Sequence, residues 1–249
     1  MTTEEPICYK YHFEFESGKK LDFEINLDPD TLNVIRKEVE NLPAWTERRY
    51  YQCPNCTLEG SKHIYCPIAV QVMDLVTAFK DHVSHETVNV CVEAEQRNYS
   101  YHGPLQHAVS SLLGIYMTTS GCPVMEKLKP MVRYHLPFAS LEETTYRHIS
   151  MYLTAQFLRS QKGLPTDWKL EQLISTYAEI HTLNAYFCRR IKAEVEKDAS
   201  LNAVVILSNF TDFIPFNISD GEIGNLATIF RSYLSPTPQT ENSQPLKDR

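Results

Sequence analysis

Tyr9, Tyr11, Phe13 and Phe15 put an aromatic ring at every second position, with polar side chains between them. Successive side chains of an extended strand point to opposite faces, so this alternation makes a ribbon with one apolar face and one wet face. The turn-forming stretch ESGKK follows, and Leu21, Phe23, Ile25 and Leu27 then resume the period of two. This is a hairpin. A second is expected in ETVNVCVEAEQRNYSYHG from Glu86, where Val88, Val90 and Val92 alternate, residues 95–98 form a polar tip, and Tyr99 and Tyr101 lie on the return. Cys91 falls on the face opposite those valines and reads as a small packing residue.

Between and after the hairpins the apolar period changes to 3.6. Ile68, Val72, Leu75, Val76, Phe79 and Val83 form one helical stripe just past Cys66-Pro67, and Leu105, Val109, Leu112, Leu113 and Tyr116 form another after Gly103-Pro104. Ser140 followed by Glu143 reads as a capping box for a helix reaching about Ser160. The longest helix is expected from near Asp167 to Asp198, burying Leu170, Leu173, Ile174, Tyr177, Ile180, Asn184, Phe187, Ile191 and Val195. Two further helices, from Ser200 and from Asp220, are expected on either side of a connection at Pro215.

The fold class is therefore α+β: a small antiparallel sheet from two hairpins, packed with a larger and mostly helical part. Residues 1–103 form the sheet-bearing part with a cysteine-rich loop. Residues 104–234 form the helical part, one compact domain with the first, and the polar, proline-bearing residues 235–249 form a disordered tail.

With 249 residues, 43% hydrophobic and 22% charged, the chain has the composition of an ordinary globular protein. Its net charge of -7 argues against a nucleic-acid partner, because phosphate-backbone affinity comes from clustered Lys and Arg. No uninterrupted apolar run reaches membrane-spanning length, and MTTEEPICYKY lacks the basic and apolar segments of a leader, so a cytoplasmic protein without a membrane partner is expected. Acid is concentrated in EFESGKKLDFEINLDPD, residues 14–30, which reads as a solvated strand face or as a docking surface for a basic protein partner.

In a reducing compartment, clustered cysteines suggest metal or redox chemistry before disulfides. Cys53 and Cys56 form a C-x-x-C pair, Cys66 follows nine intervening residues later, and His63 lies three positions before it. Zinc takes four soft or borderline ligands in a tetrahedron, and two cysteines on one tight turn supply two vertices without strain. Pro54, Asn55, Gly60 and Ser61 favour turns, whereas a redox C-x-x-C opens a helix after a strand, and no such unit is present. His63 would complete the ligand set locally, while Cys122, in TTSGCPVM, would complete it across the fold. Cys66 and Cys122 are each followed by proline, which favours the first helical position and leaves each cysteine at an N-cap, where unpaired N–H groups stabilise a thiolate. Zinc is the expected metal. An iron–sulfur cluster fits the spacing less well, because its remaining ligand would have to be distant.

Cys122 and His135 are the right types for a nucleophile and its base, although no third orienting residue can be picked out. Arg133, His135 and Leu136-Pro137-Phe138 lie in a loop before the Ser140 cap, whose N–H groups could receive an anion; a tight structural connection is the simpler reading. His181, Asn184 and Cys188 lie at spacings of three and four on the long helix and read as polar groups satisfied within a helical core. Met117, Met125, Met131 and Met151 read as core filler. No phosphate loop, H-E-x-x-H pair or G-x-S-x-G elbow is present.

Taken together, CPNC, YCPIAV, SLLGIYM, SGCP and HLPFAS with EETTYR are similar to a family of uncharacterised bacterial proteins, a domain of unknown function. The resemblance spans roughly residues 50–160. It implies no activity; it marks Cys53, Cys56, Cys66, Cys122 and His135 and favours Cys122 over His63. The resulting expectation is a structural zinc site in an interaction or regulatory protein. The alternative is an enzyme that uses either an open metal position or the Cys122/His135 thiol pair.

Overall fold

A computed structural model describes residues 5–36, 39–195, 197–219 and 226–235. Two hairpins form a four-stranded antiparallel sheet in the order β2-β1-β3-β4. Strand β1 (Ile7–Phe15) pairs with β2 (Lys20–Leu27), and β3 (Thr87–Ala94) with β4 (Arg97–Pro104). The hairpins join through β1 and β3, with Tyr11 opposite Val92 and Phe13 opposite Val90. The alternation of the sequence sets that register, because a one-residue slip would turn every ring to solvent.

One continuous apolar core runs from the inner sheet face into the helices, through Tyr11, Phe13, Val90 and Val92 to Leu112, Leu183 and Ile191. Helix α1 (Pro67–Phe79) and α2 (Leu105–Thr118) are apolar enough to be buried along most of their length. After a 3-10 turn at Glu126–Leu128 comes the short α3 (Lys129–Arg133), and then α4 (Leu141–Gln161), which buries mainly polar residues such as Thr145 and His148. Ser140 and Glu143 form the reciprocal capping box of α4, which already pairs the N–H groups of Ser140 and Glu143.

Three helix boundaries differ from expectation. Helix α5 (Glu171–Lys192) begins and ends inside the expected span: Leu170 adopts a left-handed conformation at φ 65°, and Asp167 accepts the backbone N–H of Gln172 at 2.8 Å instead of joining the helix. Helix α6 (Ala199–Ser219) runs through Pro215. A proline removes one N–H and strains one turn, and here it falls close to the C-terminal end, where few helical bonds remain to be lost. The helix expected from Asp220 is represented by the short α7 (Leu226–Ile229) and α8 (Arg231–Leu234), its start lying outside the described residues. The tail beyond residue 235 also lies outside them.

By length and composition α6 could cross a membrane: the window Ala199–Phe216 has a mean hydropathy of 1.3 and is one-third buried. Ser208, Asn209, Thr211 and Asp212 interrupt its apolar sequence, and Ala203, Val204 and Ile214 face the protein interior.

Candidate metal centre

Residues 44–66 form a loop that folds back on itself before entering α1. A 3-10 turn at Ala44–Thr46 leads to a single bridge between Glu47 and Tyr65. The N–H of Arg48 donates to the Ile64 carbonyl at 2.8 Å, and that of Cys66 to the Thr46 carbonyl at 2.8 Å. Within the loop, Cys53-Pro54-Asn55-Cys56 closes a turn in which the Cys56 N–H donates to the Cys53 carbonyl at 3.1 Å. The Asn55 amide crosses to α5 and donates to the Glu179 carbonyl at 2.9 Å.

Cys66 is the N-cap of α1, with Pro67 in the first turn, as the Cys-Pro pattern anticipates. Cys122 differs. It follows Gly121, at φ 85°, and opens a turn in which the N–H groups of Met125 and Glu126 each donate to its carbonyl at 3.1 Å; a regular helix begins only at Lys129. The local field is nonetheless similar. Burial raises the Cys66 thiol pKa, and the N–H groups of Ala69 and Ile68 work against that rise. Burial pushes Cys122 up to about 11 against the N–H groups of Val124 and Met125.

Cys53, Cys56, Cys66 and Cys122 line one cavity of about 30 Å³, with Arg190, Leu183 and Phe187 of α5 on its wall. His63 is exposed and is not part of that lining. Among the described residues, no group of three or more His, Cys, Asp or Glu is closed into metal-ligating geometry; the four thiols share the cavity without being drawn onto one point. All seven cysteines are free thiols. Burial pushes Cys53 up to about 12, with the neighbouring Cys66 and Cys122 adding to the rise and Arg190 opposing it.

Arg190 is the group that sequence reasoning missed. Only 2% of it is exposed, and its guanidinium donates to three backbone carbonyls: Trp45, Glu47 at 2.8 Å and Arg48 at 3.3 Å. It thereby holds the loop against α5, assisted by the Tyr50 hydroxyl, which donates to Glu194 at 2.8 Å. No carboxylate forms an ion pair with Arg190 among the described residues. The signal was present in the sequence: Leu183, Phe187 and Arg190 follow one another at steps of four and three, which places a cation in an otherwise apolar stripe.

The other candidates separate. Cys122 and His135 line different cavities, and the His135 ring instead meets the Tyr11 hydroxyl at 2.6 Å and the Ser111 hydroxyl at 3.4 Å. With the Cys122 thiol held near 11 and burial driving His135 down to about 3, neither group has the ionisation that a thiol nucleophile and its base require. Arg133 reaches Glu95 on the second hairpin at 3.5 Å. His181 pairs with Asp212 at 2.9 Å on the surface, and Asn184, one turn along α5, is buried with its Oδ1 unpaired, so these two are not the expected satisfied core polar groups. The acidic run is internally paired, Glu14 with Lys20 at 3.2 Å and Asp22 with His12 at 2.7 Å.

A family model described as a domain of unknown function (DUF6901) matches residues 7–231. The chain belongs to this family. The match includes both hairpins, the cysteine loop and Cys122, so the DUF6901 domain takes in the whole cavity and not only the segment of roughly residues 50–160 that carries the resemblance. No curated protein and no solved structure matches the chain.

Proposed function

We propose that Cys53, Cys56, Cys66 and Cys122 hold a zinc ion that fastens the residue 44–66 loop of this DUF6901 protein to its helical part. The observation that carries the reading is Arg190. A buried cation is expected to have an anionic partner, and this one has carbonyls, the Tyr50 ring 5.7 Å away and four thiols around it, with no carboxylate ion pair among the described residues. Zinc binding deprotonates thiols outright, and four thiolates around one divalent ion leave net negative charge for the guanidinium to balance. The N–H groups that face Cys66 and Cys122 favour the same thiolate form.

The small size of the cavity, about 30 Å³, suits a single ion better than a multi-iron cluster. Four protein ligands leave zinc no open position, so the role is structural: metal binding energy becomes folding energy for a loop with little core of its own. A binding or regulatory task, in a reducing cytoplasm that keeps the thiols free, follows better from a closed site than catalysis does.

Elemental analysis of the full chain purified without chelator tests the reading. About one zinc per chain is expected; it should be retained in His63→Ala and lost in Cys53→Ser and in Cys122→Ser. Metal-free protein that denatures at the same point with and without added zinc would overturn it.

A further inference from the structure

A second cavity, partly open to solvent, lies among α2, α4, α5 and α6 and the loop after α3. It is a cavity of about 230 Å³. Four helices contribute to its wall at helical spacings, for example Ser111 and Ile115 from α2, Arg147 and His148 from α4, and Tyr177 and Asn184 from α5.

Three polar atoms on that wall have no hydrogen-bond partner: Nδ1 of His148, the hydroxyl of Tyr177 and Oδ1 of Asn184. The three side chains are 9%, 1% and 1% exposed. Buried polar groups are almost always paired, so three unpaired ones on residues that border a single space mark a wall whose hydrogen bonding is incomplete. Water alone fills the space poorly. Each water needs two to four polar partners, and most of the remaining wall is apolar, including Met125, Leu128, Val132 and Phe210.

Charge narrows the class of occupant. In a chain of net charge -7, the lining contains no Asp or Glu and one permanent cation, Arg147. The Nη2 group of Arg147 donates to the carbonyls of Met131 at 3.2 Å and Tyr134 at 2.6 Å. Its nearest acid, Glu143, is occupied with the helix cap, and no ion pair to Arg147 is present among the described residues. The rest of the guanidinium fork remains for a two-oxygen acceptor. A cavity of about 150 Å³ accommodates benzene, so this one suits a substituted ring or a chain of similar bulk. His135, held by Tyr11 and Ser111, completes a fixed polar wall.

We propose that this cavity binds a small monocarboxylic acid with an apolar, ring-sized body: the carboxylate accepts from Arg147, and the apolar wall encloses the remainder. The site is separate from the cysteine cavity and does not depend on the zinc reading.

Isothermal titration of the full chain with phenylacetate, octanoate and the neutral phenylacetamide tests it. A carboxylate should bind with a dissociation constant below about 1 mM, and phenylacetamide at least about tenfold more weakly. Arg147→Gln should remove that preference. Because Arg147 also secures the loop after α3, a second variant fills the space instead. Gly114 lines the cavity, and a Cβ there meets only Leu207, at 3.9 Å, so Gly114→Leu should keep the helical circular dichroism signal while weakening phenylacetate at least about tenfold. Failure of both carboxylates to bind, equal binding of the amide, or undiminished binding to a folded Gly114→Leu would each overturn the proposal.

Discussion

Two cavities are built partly from one helical stripe and meet opposite requirements. On α5, Tyr177, Ile180 and Asn184 line the bundle cavity, while Leu183, Phe187 and Arg190 line the cysteine cavity. The first space is about 230 Å³ and its polar lining is varied; the second is about 30 Å³ and brings four thiols together with Arg190, Arg48, Gln52 and Thr57. Size separates the occupants before chemistry does, since the small space admits an ion and the large one a molecule. Charge balance then points the same way in both. Arg147 in the first wall and Arg190 in the second give their hydrogen bonds to carbonyls and not to carboxylates, which is why we propose an anion for each: a carboxylate in the first, thiolates around a metal in the second.

The largest effects should come from breaking the small cavity. Structural zinc sites contribute apparent binding energies of about 10–16 kcal/mol in isolated fingers, so Cys66→Ser or a strong chelator should lower the urea midpoint more than any single substitution at the bundle cavity. Arg190 gives the sharper test because the sign of its effect should reverse. In zinc-loaded protein Arg190→Met should cost about 3–5 kcal/mol, since it strips the thiolates of their partner. In chelated protein the arginine is itself the unpaired charge, and the same substitution should cost far less or even stabilise. Equal costs in the two states, measured by denaturant titration, would break the link between Arg190 and the metal.

Next in size is a pH effect confined to the bundle cavity. Burial, reinforced by the Arg147 charge, holds His135 and His148 near 3 in the folded protein, against 6.5 for a free histidine. The unfolded chain therefore binds more protons than the folded one between about pH 6.5 and pH 3, and stability falls as pH drops through that window and is flat above it. Each histidine contributes up to about 1.4 kcal/mol per pH unit there. The stability-against-pH slope measured from pH 6 to pH 5 should be shallower in His148→Gln than in the parent, and an unchanged slope would show that His148 does not carry the effect.

The smallest expected effect compares two tyrosines. The Tyr9 hydroxyl donates to the Val132 carbonyl at 2.9 Å, whereas that of Tyr177 has no partner. Tyr9→Phe should cost about 0.5–1.5 kcal/mol, and Tyr177→Phe should be close to neutral or slightly stabilising in the ligand-free protein. A Tyr177→Phe variant as destabilised as Tyr9→Phe would mean that the Tyr177 hydroxyl is already satisfied, which would remove one of the three unpaired groups on residues that border the bundle cavity.

Local pattern was enough for much of this protein. The period of two in Tyr9–Phe15 and Val88–Val92 specified the strands and their buried faces, Ser140 with Glu143 specified a cap, and the Cys66-Pro67 pair marked the start of α1, because each depends on side chains a few residues apart. Boundaries set by long-range packing were not legible: the left-handed turn at Leu170 and the continuation of α6 through Pro215 depend on what those segments pack against. The convergence of Cys122 with the Cys53–Cys66 loop could only be suspected from a repeated Cys-Pro, and the separation of Cys122 from His135, thirteen residues apart, could not be read at all. Sequence by itself determined the class of elements and the supply of soft ligands. Tertiary structure decided which groups share a space, how large that space is and which buried charges lack a partner, because burial and charge balance belong to the assembled core and not to any one segment.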